Sequence, residues 1–209
     1  MTWINGEFEA KQQRADEKKK KILDAALEMF GNEGYYKTTA KEIASRAGVA
    51  TGTFYRYFKD KKAVLMAVCH RTDDEISREI FQTAAELRKA GVSERKILDN
   101  ILESAVKAHH MQKGFHLEIL SLQMRDKDIM SWVDDRERKV FQSITDFLRS
   151  SHEPLKITDL KAAAEIISYT IETIAHRAVL MTPYTDEKRL IGELQEMMAR
   201  YIYGDRFAD

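Results

Sequence analysis

The stretch that decides the reading of this chain is "AGVATGTFYRYFKDKKAVLMAV", residues 47–68. Gly48 marks a turn and Asp60 offers an N-cap, and between them lies a short helical segment at roughly 51–57. It sets Tyr55, Arg56 and Tyr57 side by side. A core helix would carry apolar residues there, and a plain surface helix Glu, Lys and Ala. Hydroxyls, a guanidinium and aromatic rings together suit a surface that meets something both anionic and flat. Phe54 and Phe58, four residues apart, share one helical face. With Ile22, Phe30, Ile43, Ala44 and Val49 they can form a small core. Thr51, Gly52, Thr53, Tyr55, Arg56 and Tyr57 are then left pointing outward or sideways.

The pattern extends in both directions. Upstream, "KTTAKEIASRAG" (37–48) reads as a second helix: Glu42 follows Thr39 by three residues, a capping box, and Gly48 ends the helix. Before it, Ile22, Ala25, Ala26, Met29 and Phe30 recur at helical spacing, and Gly31 and Gly34 read as the stop. Residues 1–13 read as an N-terminal arm. Downstream, a fourth helix starts near Asp60 and runs past Ile76, Ile80 and Phe81. Ser93 can cap a fifth, and Gly114 reads as an interruption before the short apolar segment "FHLEILSLQM" (115–124). A seventh helix holds Ile129, Val133, Val140, Ile144, Phe147 and Leu148. After a loop at 150–159, an eighth spans about 159–181 and a ninth 186–203. No strand pattern and no repeat intervenes, so the fold class is all-α with about nine helices.

Composition agrees. Only two prolines and nine glycines break 209 residues, and 44% are hydrophobic, enough for a real core. The formal net charge is zero but unevenly spread. Residues 1–65 carry 13 Lys and Arg against 9 Asp and Glu; the remainder carries 21 against 25. A basic front on an acidic body predicts that the front alone faces a polyanion. The single Cys69 leaves no intramolecular disulfide and fits a reducing compartment. No secretory h-region and no membrane-spanning run is legible, so a cytoplasmic protein without a membrane partner is expected.

Three segments in combination, "AALEMFGNEGY" (25–35), "TTAKEIASRAGV" (38–49) and "GTFYRYFKDKKAVL" (52–65), resemble the DNA-binding domain of the tetracycline-repressor (TetR/AcrR) family of transcriptional regulators. The resemblance covers about residues 20–68; beyond it the chain matches the family in helix count and size. It implies a helix-turn-helix DNA-binding domain at 14–65 and a ligand-binding and dimerisation domain at 66–209. It further implies binding to a palindromic double-stranded DNA operator as a homodimer, most simply as a repressor released by a small, largely apolar effector. By the same resemblance Thr39 grips a phosphate at the start of the second helix, Lys61 holds the backbone across the groove, and Thr51, Gly52, Thr53, Tyr55, Arg56 and Tyr57 form the recognition surface. "DEKKKK" (16–21) adds cations beside the first helix.

In the body, an enzyme would need a convergent polar set. No Gly-rich phosphate loop, HExxH, Cys/His cluster or nucleophile elbow is present, so neither catalysis nor a cofactor is expected. His109 and His110 are adjacent on a helix and point about 100° apart, poor for one metal. Glu172 and His176, four apart, could share a metal, but without further ligands a hydrogen-bonded pair is the simpler reading and no metal is expected. Residues suited to an effector pocket are His109, Phe115, Ile119, Met124, Trp132, Phe141, Tyr169, Glu172 and His176. The eighth and ninth helices, which the resemblance pairs across a dimer, carry Ala164, Ile167, Ile171, Ile174, Leu194 and Met198 in stripes too apolar for a free surface, although an intrachain core would also account for part of that. An alternative keeps DNA binding but gives the body a protein partner or no ligand.

Overall fold

The computed structural model describes residues 3–205, with side chains from residue 10 onward. Among them all regular structure is helical: α1 (Trp3–Glu33), α2 (Ala40–Arg46), α3 (Thr51–Tyr57), α4 (Lys61–Lys89), α5 (Glu94–Met111), α6 (Lys113–Gln123), α7 (Lys127–Arg149), α8 (Leu160–Ala175), a π turn (His176–Leu180) and α9 (Glu187–Tyr203). Packing divides the chain into two units. Among the described residues, the first holds those up to Thr72 together with 114–122; the second holds 73–113 and those from Gln123 onward.

In the first unit, Ile22, Ala26, Phe30, Ile43, Ala44 and Phe54 are fully enclosed. Thr39 caps α2 with the reciprocal Thr39–Glu42 bonds read from the sequence. Gly48, at φ 66°, takes the left-handed conformation that lets Val49 N–H return to the Ala44 carbonyl at 3.0 Å. That turn sets α3 against α2. Asp60 Oδ1 accepts from Ala63 N–H at 2.7 Å and starts α4.

Two sequence expectations change here. The first helix begins at Trp3 rather than near residue 14, so residues 3–13 of the expected arm are helical; few breakers interrupt that stretch. Gly31 does not stop α1, which runs on to Glu33. Instead Gly31 lies where α6 crosses: a Cβ on Gly31 would sit 3.1 Å from Phe115 N, and one on Gly114 would collide with the Gly31 carbonyl. Gly114 therefore lies inside α6 as the other half of a close backbone approach.

The second unit has a core of Ile97, Leu98, Leu102, Ile144, Leu148, Ala164, Ile167, Leu194, Met198 and Ile202, with α7 on α8, and α5 on both α8 and α9. A smaller cluster of Val106, Ala175, Ala178, Val179 and Ile191 surrounds the π turn. One buried ion pair ties the ends of α4, α5 and α9 to the loop after α7. Arg88 Nε and Nη2 each donate to Glu94 at 2.7 Å, Tyr203 donates its hydroxyl to the same carboxylate at 3.4 Å, and His152 N–H donates at 3.2 Å. Arg88 also lies 4.7 Å over the Phe147 ring.

Candidate functional site

Helix α3 is only seven residues long and is held by its neighbours. Phe54 and Phe58 turn inward with ring centroids 5.9 Å apart. Tyr55 is 55% exposed, Thr51, Gly52 and Arg56 are exposed, and Thr53 and Tyr57 are half-buried at the flanks. No atom lies within 4 Å of where a Gly52 Cβ would stand, so the backbone there is open to close approach. Arg56 lies 5.3 Å from the Tyr57 ring centroid, which preorganises the guanidinium beside an aromatic face. One face of one short helix thus presents hydroxyls, a bare backbone and a cation.

The two flanking positions are engaged internally. The Thr39 hydroxyl donates to Glu42 Oε2 at 2.7 Å, and the Thr39 N–H donates to the same oxygen at 2.9 Å. These bonds hold the Glu42 carboxyl below its ordinary pKa. The amino end of α2 therefore already carries an anion of its own, where the sequence reading expected Thr39 to hold a phosphate. Lys61 donates to the Tyr35 carbonyl at 2.6 Å and stands 4.2 Å over the Tyr35 ring. Burial lowers its pKa, against the opposing pull of Glu118 and Glu42. Glu118 accepts from Tyr35 N–H at 2.7 Å. Nothing in its local pattern announces this contact, because Tyr35 lies 83 residues away.

The nine residues expected to line an effector pocket do not all meet. Phe115 and Ile119 belong to the first unit, and Met124, 76% exposed, lies just beyond α6. In the second unit Trp132 is buried, and Tyr169 packs edge-on against Phe141 with centroids 5.3 Å apart. His109, Glu172 and His176 do converge, from α5, α8 and the first residue of the π turn. Glu172 Oε2 is 3.6 Å from His109 Nε2, and Oε1 is 3.3 Å from His176 Nε2. The two imidazoles meet edge-to-face at 5.2 Å. Arg136 reaches Glu172 Oε1 at 3.4 Å and also Asp73 Oδ1 at 3.4 Å. Burial opposes charge on Glu172, but the two histidines and Arg136 outweigh it and hold the carboxyl well below its ordinary range. His109 was the member of this cluster that helical spacing could not attach to Glu172 and His176; only the packing of α5 on α8 brings it in. His110 points elsewhere, to Glu187 at 2.9 Å.

The expected dimer residues are mostly interior. Ala164, Ile167, Leu194 and Met198 are 0–3% exposed within one chain, and Ile171 and Ile174 pack partly buried against the same core. Their apolarity is accounted for by the intrachain core, which leaves them little area for a partner. The outward faces of α8 and α9 carry instead Ile166, Met197 and Tyr201.

The model of bacterial regulatory proteins of the tetR family matches residues 22–68, and that of the tetracyclin repressor-like C-terminal domain matches residues 95–202. The HTH-type transcriptional regulator AcrR of Shigella flexneri is 34% identical over 96 residues, 46% of this chain and 45% of that protein. The chain spans 19–45% of the length of the first curated relatives it matches. Two solved structures align over most of both chains. One is a transcriptional regulator from Saccharomonospora viridis in complex with choline, with TM-score 0.71, 17% identity, and 88% of this chain and 96% of that one covered. The other is the fatty acid degradation regulator FadR from Bacillus halodurans, with TM-score 0.71, 19% identity, and 87% and 94% covered. At such identities the two structures establish the shared fold alone.

Proposed function

Because this chain belongs to the tetR family of bacterial regulatory proteins, we propose that it is a transcriptional regulator, a repressor that grips a palindromic DNA operator as a homodimer and lets go when a small molecule enters its helical body. The observation that carries this reading is α3: its two phenylalanines are spent on the core, and its remaining face offers Thr51, Gly52, Tyr55 and Arg56 to solvent. Phosphate contacts would come from Tyr55 and the guanidinium, and base-edge contacts from Thr51, Thr53 and Arg56. The exposed run Lys18–Lys21 on α1 adds positive charge. The work is expected to be done in the cytoplasm; among the described residues no helix is long and apolar enough to cross a membrane.

A single seven-residue helix reads only a few base pairs. Two copies on a twofold axis, with recognition helices about 34–36 Å apart or a multiple of that, would read a palindrome long enough to be selective. The body supplies the switch. A relative in fold was solved with choline bound and another is a fatty acid degradation regulator, which supports an effector with an apolar part and one polar or charged group. The Glu172 carboxylate, with Tyr169 one turn before it on α8 and Phe141 of α7 packed edge-on against Tyr169, offers that combination. Coupling to DNA follows the chain: α4 is one unbroken helix from Lys61 to Lys89, and α6 packs in the DNA-facing unit while α5 and α7, its sequence neighbours, belong to the body. A coupling of about 1–3 kcal/mol changes operator affinity some 5–150-fold, and the operator must change effector affinity by the same factor.

The test is selection of binding sites from a random duplex pool with the full chain. Enrichment of one inverted repeat supports the proposal; retention of DNA with no preferred sequence removes it. A ligand found by thermal-shift screening should then weaken binding to that repeat.

A further inference from the structure

The inner polar cluster of the second unit has the dimensions of a metal site. Two ligand atoms about 2.0–2.1 Å from a single tetrahedral ion lie roughly 3.3–3.4 Å apart. The two nitrogen–oxygen separations around Glu172 are 3.3 and 3.6 Å. The first runs from Oε1 to His176 and the second from Oε2 to His109; both are long for charge-assisted hydrogen bonds, which run about 2.7–2.9 Å, and each is close to one ligand–ligand edge at such an ion, with one oxygen or both turned toward it. The atoms offered by His109, Glu172 and His176 all lie within 4.8 Å of one another.

The tautomer of His109 points the same way. Its Nδ1–H donates to the Ala105 carbonyl at 2.8 Å, a partner that can only accept. When the ring is neutral, Nε2 therefore carries the lone pair, and Nε2 is the atom turned toward Glu172. A backbone carbonyl behind the distal nitrogen is the usual support for a metal-bound imidazole. His176 opens the π turn, so the helix widens at the residue that supplies the second imidazole.

We propose that His109 Nε2, Glu172 and His176 Nε2 bind one divalent transition-metal ion of the zinc class. Two imidazoles and one carboxylate favour Zn²⁺, Co²⁺ or Ni²⁺ over Ca²⁺ or Mg²⁺, which want oxygen ligands throughout. Arg136 is the competing cation. It touches Asp73 as well as Glu172, so it keeps a carboxylate partner when the ion takes Glu172. The site does not depend on operator binding; metal could hold α5 against α8 or arrive with the effector.

The experiment uses the full chain without an affinity tag, stripped with a chelator and titrated with Co²⁺. Expected are one Co²⁺ per chain, the strong visible bands of a tetrahedral site, and displacement by Zn²⁺. His109→Ala, Glu172→Gln and His176→Ala should each weaken Co²⁺ binding at least about tenfold, whereas His110→Ala should leave it unchanged. Should a variant fail to fold, the wild-type protein still decides the matter: Zn²⁺ must shift the side-chain Nε2 resonances of His109 and His176 and leave those of His70 and His152 in place. No stoichiometric uptake by the wild type, or uptake undiminished in a folded His109→Ala/His176→Ala double variant, overturns the site. None of these readouts involves DNA, so their failure leaves the operator proposal standing, and a failed operator selection leaves the metal site standing.

Discussion

Gly31 and Gly114 meet backbone to backbone, with α1 and α6 crossing where neither glycine has room for a side chain. This crossing binds a segment of the later chain, residues 114–122, into the DNA-facing unit. Alanine at Gly114 would gain helix propensity worth about 1 kcal/mol and lose more to overpacking, about 1–3 kcal/mol. We expect Gly114→Ala to lower stability in urea unfolding. Gly192 gives the contrast. It lies inside α9 with nothing within 4 Å of a Cβ, so Gly192→Ala should raise stability by about 0.5–1 kcal/mol. Equal effects of the two substitutions would show that the crossing is looser than described.

Glu94 and Arg88 are 3% and 10% exposed at their side chains. Removing one partner of a buried, hydrogen-bonded pair costs about 3–5 kcal/mol, so Glu94→Ala should destabilise strongly and Arg88→Met comparably. The pair also sets a pH dependence. Burial works against the Glu94 charge, but bonds from Arg88 and His152 N–H outweigh it and hold the carboxyl below 4.5. The folded state then binds fewer protons than the unfolded one near pH 4. The stabilisation is complete above the unfolded value and is lost as pH falls through the lowered folded value. Thermal unfolding of wild type between pH 3 and 6 should therefore fall more steeply on the acid side than that of Glu94→Gln. The Tyr203 phenol, buried beside this carboxylate, is pushed far above its ordinary range and stays neutral throughout.

On the DNA-facing side, Arg56 and Lys61 should separate two roles. Arg56 is exposed, and Arg56→Ala should leave stability within about 0.5 kcal/mol of wild type while reducing the slope of log affinity against log salt by about one. Lys61 donates to the Tyr35 carbonyl from a half-buried position. Lys61→Ala should therefore lower the melting midpoint as well as operator affinity. Tyr55→Ala should weaken binding across all sequences, and Thr53→Ala should alter base preference. Fluorescence anisotropy at several salt concentrations, paired with thermal melts, distinguishes these outcomes.

The helices were legible because their signals are local. Thr39 with Glu42, Gly48, Asp60 and the spacing of Phe54 and Phe58 each act within four residues, and each stands in the structure where the pattern put it. What was misread depends on distance along the chain. Gly31 and Gly114 look like stops in isolation and become a crossing only when paired. Glu118 with Tyr35, and His109 with Glu172, join residues 83 and 63 apart, and no periodicity links them. The apolar stripe of α8 was real, but periodicity cannot say whether a stripe faces its own chain or a second copy. Burial answers that for Ala164 and Ile167, which are enclosed by their own unit.

The enclosure of these apolar stripes changes how a dimer must be tested. Charges at Ile171 and Ile174 would enter the core of a single chain, so Ile171→Glu/Ile174→Glu should unfold the body and report nothing about assembly. The surface open to a second copy is the outer side of the same helices. There Ile166 and Met197 are 52% and 50% exposed, and Tyr201 follows Met197 by one turn. Glutamate at Ile166 and Met197 together would cost the monomer little, because both side chains already meet water. In a twofold interface each substitution occurs twice, placing four like charges in one desolvated seam. Analytical ultracentrifugation should find wild type as a dimer and Ile166→Glu/Met197→Glu as a monomer with unchanged helical circular dichroism. The same variant should bind a half-site as wild-type monomer would and lose most of its affinity for the full inverted repeat. A wild-type chain that sediments as a monomer at micromolar concentration removes the homodimer, and a variant that stays dimeric moves the interface off these two helices.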